Sequence, residues 1–288
     1  MATSVWETAA ERRRELDAQG YLVVDKVVPR ELCEDVLAAT ADFLGIVANE
    51  PGSWRTRTTH GHGIVPLHHH PALWALRQWP EIHRLFGQLY GTDRLWVTMD
   101  RVSFKAPADQ QVCEANCRRA RQDAQAPRMS AFHWDADPRQ PRSEAGFQGL
   151  VYLRDTAPEQ GAFCCLPDVY ARLDDWLGDR QVREATEALN TGEHRVEAVG
   201  GGAGAMVIWH RHMPHSSALN HGTAPRWVQY VAMDPVGDEA TRKERIRLFR
   251  EKRPPAWAVR QRVPGQQDPE PGPTAELTPL GRQLVGFD

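Results

Sequence analysis

The sequence predicts a mainly β protein with supporting helices, of the double-stranded β-helix (jelly-roll, cupin-like) class. Short strand-like segments follow one another closely through the middle of the chain, while helical patterns gather at its beginning and outside this region. The length of 288 residues suits one large domain. At the open end of such a barrel, neighbouring strands can direct side chains towards one point.

Residues 1–95 are predicted to be a helical support. A polar helix over 5–19 precedes a strand at Tyr21–Asp25. Apolar residues at helical spacing then indicate a helix at Arg30–Leu44 with one buried face. Residues 45–70 lack periodicity, which predicts a long loop with the role of a lid. Two further helices are predicted at Pro71–Gln78 and Pro80–Tyr90.

Residues 96–235 are predicted to form the jelly-roll core. A polar insertion at Ala106–Pro127 separates the first core strand from the segment around His133, which also has the character of a strand. Residues 168–190 have a helical pattern. The other predicted strands are Leu95–Phe104, Phe147–Leu153, Ala162–Leu166, Arg195–Val199, Met206–Trp209, Pro214–Ser217 and Trp227–Met233.

Residues 236–288 are predicted to add a helix at Asp238–Arg250 and a tail from Arg253 that is rich in Pro and Gly and wraps the surface. No internal repeat or linker divides the chain. We therefore predict one domain over 1–288, composed of the helical support, the jelly-roll core and this C-terminal region.

Composition and charge exclude several classes of function. A net charge of −3 and a pI near 6.5 provide no basic surface for nucleic acid or an anionic membrane. The five cysteines match no disulfide framework, so reduced thiols are expected. The chain shows no signal segment and no apolar stretch of the roughly 18 residues that a spanning helix needs. We expect a cytoplasmic protein, and its oligomeric state stays open.

The most informative motif is His133-Trp134-Asp135, followed much later by His215. Two imidazoles and one carboxylate can occupy one face of a six-coordinate Fe(II) and leave three adjacent positions open, which is typical of 2-His-1-carboxylate oxygenases. His133 and Asp135 stand at i and i+2, so on a strand both face the same side and Trp134 faces away. A bare His-x-Asp pair is common by chance, so this prediction depends on what surrounds His215.

The segment around His215 resembles the phytanoyl-CoA dioxygenase family of Fe(II)/2-oxoglutarate oxygenases. In that family the distal His is followed by a Ser two residues on, an Asn five on and an Arg eleven on. This chain has the same pattern in His215, Ser217, Asn220 and Arg226. Phe104-Lys105-Ala106-Pro107 also resembles the segment whose Lys helps to hold 2-oxoglutarate. The resemblance extends over most of the chain.

The resemblance implies a set of site residues. His133, Asp135 and His215 would be the metal ligands, with no catalytic residue beyond them. Arg226 would anchor 2-oxoglutarate, because a buried dicarboxylate needs a permanent cation with a planar, bidentate fork. Lys105 could add a second cation or be solvated, and Ser217 could donate its hydroxyl to the same ligand. Asn220 is expected to cap its turn.

Three positions depart from the family pattern. Gln160 replaces an Asn, Leu166–Tyr170 lacks a Pro-Gly-x-His segment, and Leu150 stands where some members have Trp. The last two lie near the family's substrate and co-substrate pocket, so the identity of the substrate does not carry over. Arg55, Arg57, Arg139 and Arg142 lie in loops that we expect to frame the entrance, which indicates a polar or anionic substrate.

The sequence therefore predicts an Fe(II)- and 2-oxoglutarate-dependent dioxygenase, with O2 and a small polar metabolite as its partners. Hydroxylation in secondary-metabolite tailoring is the favoured reaction. Desaturation, cyclisation or demethylation would use the same ligands, and a non-catalytic metal-binding jelly roll is the alternative from another class. Halogenating relatives have Ala or Gly at the carboxylate position, so Asp135 favours oxygen transfer.

Other histidines offer competing sites. His210 and His212 flank the distal ligand, and the family spacing decides for His215. The run His68-His69-His70 and the pair His60 and His62 could line the substrate pocket or bind a second metal. A second metal is disfavoured because loop imidazoles are more often solvated. Cys113 and Cys117 lack a second ligand pair at zinc spacing.

Overall fold

The computed structural model describes residues 9–54, 63–108, 131–191, 194–261 and 272–288. Several predictions fall wholly or partly outside these ranges. They concern the start of the first helix, Arg55 and Arg57, His60 and His62, Cys113 and Cys117, and most of the insertion at Ala106–Pro127.

A six-stranded sheet forms one wall of the barrel. Its strands are β1 (Tyr21–Val24), β2 (Ile64–Val65), β4 (Val102–Lys105), β5 (Phe147–Tyr152), β8 (Met206–His210) and β10 (Arg226–Tyr230). They lie in the order β1-β8-β5-β10-β4-β2, and every neighbouring pair is antiparallel. The register places Arg226 opposite Lys105.

A three-stranded antiparallel sheet forms the opposite wall. Its central strand β6 (Phe163–Cys165) pairs with β7 (Glu197–Val199) and β9 (His215–Ser217). The inner faces of the two sheets share one apolar cluster, to which the large sheet contributes Leu150 and Trp209 and the small sheet Phe163. Two opposed antiparallel sheets around a shared core are the architecture that the sequence predicts.

Helices cover the outer face of the large sheet. Successive residues of a strand point to opposite sides, so in β10 Val228 joins the cluster between the sheets while Trp227 packs towards the helices. The helices are α1 (Ala9–Gln19), α2 (Arg30–Leu44), α3 (Pro71–Arg77), α4 (Pro80–Tyr90), α5 (Arg142–Ala145), α6 (Pro167–Ala171), α7 (Leu173–Leu177), α8 (Val182–Thr191), α9 (Glu239–Glu251), α10 (Ala256–Arg260) and α11 (Pro279–Val285).

The expectation of a mainly β protein is wrong in one respect, because 41% of the structure is helical. The fold is mixed α/β with antiparallel sheets, since helices occur before the barrel, within it at α6–α8 and after it. No helix in the described ranges is long and apolar enough to cross a membrane.

The strand predicted at Leu95–Phe104 is divided. β3 (Leu95–Val97) pairs with β11 (Met233–Pro235), and after a break β4 pairs with β10. At the break the Thr98 backbone and hydroxyl both bond to Ala232. The chain therefore changes partner strand at this point, and hydrophobic alternation alone does not indicate such a change.

Two irregular segments are also more ordered than predicted. The loop at 45–70 contains a 3-10 helix at Pro51–Ser53 and strand β2, so its described parts are packed against the fold. The C-terminal tail is more than a surface wrap, because Leu284 and Val285 of α11 are fully buried. By contrast, the described residues around His133, which begin at 131, contribute a single bridge rather than a strand.

Candidate active site

Backbone pairing brings the two histidines of the motif together. The His133 amide donates to the His215 carbonyl at 3.2 Å, and the His215 amide donates to the His133 carbonyl at 3.1 Å. Because paired residues present their side chains to the same face, the two imidazole rings lie with their centroids 4.6 Å apart. The ligand atoms of His133, Asp135 and His215 all lie within 4.8 Å of one another.

Each imidazole has its Nδ1 atom engaged by the backbone. Nδ1 of His133 lies 3.0 Å from the Ala131 carbonyl oxygen, and Nδ1 of His215 lies 3.0 Å from the Met213 carbonyl oxygen. A carbonyl only accepts, so Nδ1 carries the hydrogen and Nε2 is left with a lone pair. Burial and the neighbouring His215 lower the pKa of His133, which also favours its neutral form.

The carboxylate of Asp135 completes the cluster. Its Oδ1 lies 3.7 Å from Nε2 of His133 and its Oδ2 lies 3.3 Å from Nε2 of His215. Burial acts to raise the pKa of Asp135, whereas the donation from Gln148 to Oδ2 acts to lower it and favours the charged carboxylate. Two nitrogen lone pairs and an anionic oxygen that converge in this way fit a divalent metal ion.

The cluster opens into a cavity of about 680 Å³ that Ser217 and Arg226 also line. The Arg226 side chain is 1% exposed, and its Nη2 donates to the Ser103 hydroxyl at 2.6 Å. Its Nε has no hydrogen-bond partner among the described residues, and no carboxylate of those residues forms an ion pair with it. A buried guanidinium without an anion is costly, so the geometry fits a carboxylate ligand at this end of the cavity.

Lys105 is buried but is not among the residues that line the cavity. Its ammonium donates to the Ser217 hydroxyl at 2.8 Å and to the carbonyl oxygens of Ala218 at 2.7 Å and Ser217 at 3.3 Å. Burial, with the nearby charge of Arg226, lowers the pKa of Lys105 well below its usual range. The alternative of a solvated lysine is therefore wrong. Lys105 is linked to the cavity through its hydrogen bond to Ser217, which lines the cavity.

The turn after β9 behaves as predicted. Asn220 accepts from the Gly222 amide and donates to the carbonyl oxygens of Ala224 and Lys105, each at 2.9 Å, so its role as a turn cap is confirmed. Gln160, which replaces the Asn of the family pattern, donates to the Pro225 carbonyl at 3.1 Å. Both side chains fix the path of the chain into β10 rather than contact the cavity.

The orientation predicted for Trp134 is confirmed. Its indole donates to the His212 carbonyl oxygen at 2.9 Å and packs edge-on against Trp176. Arg139 and Arg142 do not frame the entrance as expected. Arg142 donates to the Tyr170 carbonyl and stacks on that ring, while Arg139 bonds backbone carbonyls near Gly178.

The competing histidines lie elsewhere. His68 and His69 are buried against the backbone, with Nδ1 of His68 3.0 Å from the Met99 carbonyl oxygen and Nε2 of His69 2.8 Å from that of Arg253. Neither lines the cavity, so the substrate-lining role is wrong for this pair. His210 bonds to the Arg142 carbonyl, and the only metal-like cluster among the described residues is the one that contains His215.

Sequence reasoning missed Gln148 and a group of charged and polar residues that line the cavity. Gln148 donates to Oδ2 of Asp135 at 2.8 Å. It lies on the inner face of β5 with Leu150 and Tyr152, and a polar residue on an otherwise apolar strand face was the available signal. The charged and polar group consists of Asp100, Arg101, Arg211, Asp234, Trp257 and Gln261. Its members come from distant segments, so no local pattern marks them.

Comparisons with known proteins agree with this geometry. The sequence profile of the phytanoyl-CoA dioxygenase (PhyH) family matches residues 16–228. A Dictyostelium discoideum protein whose name assigns it to the phytanoyl-CoA dioxygenases is 20% identical over 256 residues, which is 75% of this chain and 73% of that protein.

Two solved structures share the fold. The epimerase SnoN from nogalamycin biosynthesis, crystallised with Fe3+, α-ketoglutarate and nogalamycin RO, superposes with a TM-score of 0.54 at 19% identity, over 94% of this chain and 95% of SnoN. The carbocyclase SnoK of the same biosynthesis gives a TM-score of 0.52 at 19% identity, over 78% of this chain and 85% of SnoK.

Proposed function

The chain belongs to the phytanoyl-CoA dioxygenase family of iron- and 2-oxoglutarate-dependent oxygenases, and from this premise we propose that it hydroxylates a small polar metabolite. Its cofactors are Fe(II) and 2-oxoglutarate. The observation that carries the proposal is one cavity that holds both the His133, Asp135 and His215 cluster and the buried Arg226, which no carboxylate of the described residues pairs with.

His133, Asp135 and His215 are the proposed iron ligands. The carbonyl oxygens of Ala131 and Met213 hold both rings in the tautomer that directs Nε2 into the cavity. When bound, iron with 2-oxoglutarate supplies the oxidising chemistry, in which O2 is consumed and 2-oxoglutarate is converted to succinate and CO2. The protein contributes the ligand geometry and a cavity that limits access of water.

Arg226 is the proposed anchor for the distal carboxylate of 2-oxoglutarate. Ser103 orients its guanidinium through Nη2, and Nε is left to donate to a ligand. Ser217 is the second proposed contact, because its hydroxyl lines the cavity and accepts from Lys105. In this proposal Lys105 acts on 2-oxoglutarate through Ser217, whereas the family resemblance implies a direct contact between the lysine and 2-oxoglutarate.

A polar substrate agrees with the charged residues that line the cavity. Two ion pairs stand there: Arg211 with Asp234 at 2.8 Å, and Arg101 with Asp100 at 3.6 Å. Each guanidinium is balanced by a carboxylate, so this region offers many hydrogen-bonding groups but no excess positive charge. The phosphates of an acyl-CoA would find no cationic surface among these residues, whereas the hydroxyl or amine groups of a small metabolite would find partners.

Oxygen transfer is the proposed outcome because Asp135 occupies the carboxylate position. Asp135 as a third protein ligand beside His133 and His215 would leave only the positions that 2-oxoglutarate and O2 need, so none would remain for a halide. Desaturation, cyclisation or demethylation would use the same residues. The names of SnoN and SnoK, an epimerase and a carbocyclase, indicate that this fold accommodates several outcomes.

Succinate formation tests the proposed function. Protein loaded with Fe(II) under anaerobic conditions and then exposed to O2 and 2-oxoglutarate should form one succinate per O2 consumed, and a true substrate should accelerate this conversion. His215→Ala should fold but form no succinate above background. Equal succinate from both proteins would refute the proposal, as would a chlorinated product from the wild-type enzyme in high chloride.

A further inference from the structure

Gln148 links Asp135 to the wall of the barrel. Its Nε2 donates to Oδ2 of Asp135 at 2.8 Å, and its Oε1 accepts from Nε1 of Trp209 at 3.0 Å. Gln148 and Trp209 are cross-strand partners on β5 and β8. Both line the cavity beside the metal-like cluster.

Trp209 determines which way the Gln148 amide faces. An indole N–H can only donate, so the amide must turn its oxygen towards Trp209 and its NH2 towards Asp135. The indole itself is 3% exposed and packs against both Phe163 and His215, with ring centroids 4.6 Å and 5.1 Å away. Burial and these ring contacts hold the indole N–H towards the amide.

The amide of Gln148 engages one carboxylate oxygen of Asp135 and not the other. Oδ2 accepts from Gln148, while Oδ1 has no contact with that amide. A carboxylate that bound through both oxygens would occupy one of the three positions that 2-oxoglutarate and O2 require. A donor that occupies Oδ2 favours binding through a single oxygen.

We propose that Gln148, oriented by Trp209, is a positioning residue that holds Asp135 for metal binding through one oxygen. This inference rests on the proposed function, since it takes Asp135 as an iron ligand. Hydrogen-bond partners behind metal ligands typically contribute about 10- to 100-fold to metal affinity. The hydrogen bonds of the Gln148 amide go to Asp135 and Trp209, so we expect its effect to be confined to the metal.

Cobalt(II) binding to the apoprotein provides the test. Gln148→Leu keeps the size of the side chain but removes both hydrogen bonds, and its dissociation constant for Co(II) should rise about tenfold or more. Trp209→Phe keeps an aromatic ring but frees the amide to turn its oxygen towards Asp135, and it should give a smaller rise. At saturating Co(II), the affinity of Gln148→Leu for 2-oxoglutarate should stay within about twofold of wild type.

Two control variants distinguish a failure of the inference about Gln148 from a failure of the proposed function. Gln283→Leu removes a glutamine that bonds to the Asp93 carbonyl on the other side of the fold, and it should bind Co(II) as wild type does. His215→Ala should lose tight Co(II) binding. Gln148→Leu with wild-type affinity would overturn this inference alone, and equal losses for Co(II) and 2-oxoglutarate would reduce Gln148 to a structural role. Wild-type affinity in His215→Ala would instead overturn the proposed function.

Discussion

Two buried cations stand side by side where β4 ends and β10 begins, with different surroundings. Lys105 and Arg226 are cross-strand partners, and each is 1% exposed. The three hydrogens of the Lys105 ammonium are matched by three protein acceptors. Arg226 has only the Ser103 hydroxyl, and its Nε lacks a partner within the described chain. At the scale of single residues, Arg226 is the cation that requires a ligand.

Arg226→Ala should weaken 2-oxoglutarate binding far more than metal binding. Loss of one partner of a buried ion pair costs about 3–5 kcal/mol, which corresponds to a rise of roughly two or more decades in the half-saturating concentration. Succinate formation against 2-oxoglutarate concentration measures the change. Co(II) affinity serves as the internal control because the cluster of candidate metal ligands consists of His133, Asp135 and His215 and does not include Arg226. An unchanged dependence on 2-oxoglutarate would exclude Arg226 as the anchor.

The residues of the metal cluster could be predicted because their spacing is local or matches a family pattern. His133 and Asp135 stand two residues apart, and the residues after His215 identify it among several histidines. The contacts of Lys105 could not be predicted, since they depend on the register of β4 against β10 and on the turn after β9. Gln148 was missed for the same reason, because its partner Trp209 is on another strand.

At the scale of elements, the turn before β8 requires glycine. Gly204 has a φ of +80°, its amide donates to the Tyr152 carbonyl at 2.8 Å, and its carbonyl accepts from the Val28 amide at 3.1 Å. A Cβ at this position would overlap the Val28 carbonyl oxygen. Gly45 also has a positive φ, of +64°, but a Cβ there would meet nothing within 4 Å.

Gly204→Ala should therefore destabilise the protein more than Gly45→Ala. A left-handed backbone costs a non-glycine residue about 1–2 kcal/mol, and a steric overlap in a packed region adds about 1–3 kcal/mol. We expect a loss of about 1–2 kcal/mol at Gly45 and about 2–5 kcal/mol at Gly204 in the free energy of unfolding by urea. Equal losses in the two variants would contradict the close approach to Val28.

The segment before α3 should make stability depend on pH. Burial lowers the pKa of His68 to about 3 and that of His69 to about 4, with the charge of Arg77 as a further cause. An unfolded histidine titrates at about 6.5. Below that pH the unfolded chain takes up protons that the folded chain does not, so the free energy of unfolding falls as the pH falls towards 4.

Each such histidine contributes a slope of at most about 1.4 kcal/mol per pH unit in this window. His68→Asn should flatten the dependence of unfolding free energy on pH between pH 4.5 and 6 by about this amount. Above pH 7.5, where histidine is neutral in both states, wild type and variant should show parallel curves. The same slope in both proteins below pH 6 would mean that His68 is not buried in its neutral form.

The elements were predicted best where one helical period is sustained. Arg30–Leu44 and Pro80–Tyr90 are confirmed to the residue. The ends of short strands were harder to predict, because they depend on which neighbouring strands the residues pair with. The segment predicted as one strand at Leu95–Phe104 is divided where its partner strand changes from β11 to β10. Among the described residues around His133, only His133 itself pairs with another strand, so this segment forms one bridge.

At the scale of the whole molecule, the C-terminal region contributes to both core and cavity. Leu284 and Val285 of α11 are buried in the same cluster as the helical support. Trp257 and Gln261 line the cavity, where Arg101 stacks on the indole at 5.0 Å and donates to the glutamine at 2.7 Å. We propose that regions 1–95, 96–235 and 236–288 form one domain whose active site needs all three.

Anomalous diffraction from crystals soaked anaerobically with Fe(II) and 2-oxoglutarate tests the central claim most directly. One strong iron peak should lie between Nε2 of His133, Nε2 of His215 and one oxygen of Asp135, with the distal carboxylate of 2-oxoglutarate against Arg226. An iron peak at other side chains, such as His210 and His212, or a 2-oxoglutarate carboxylate away from Arg226, would contradict the assignment of this site.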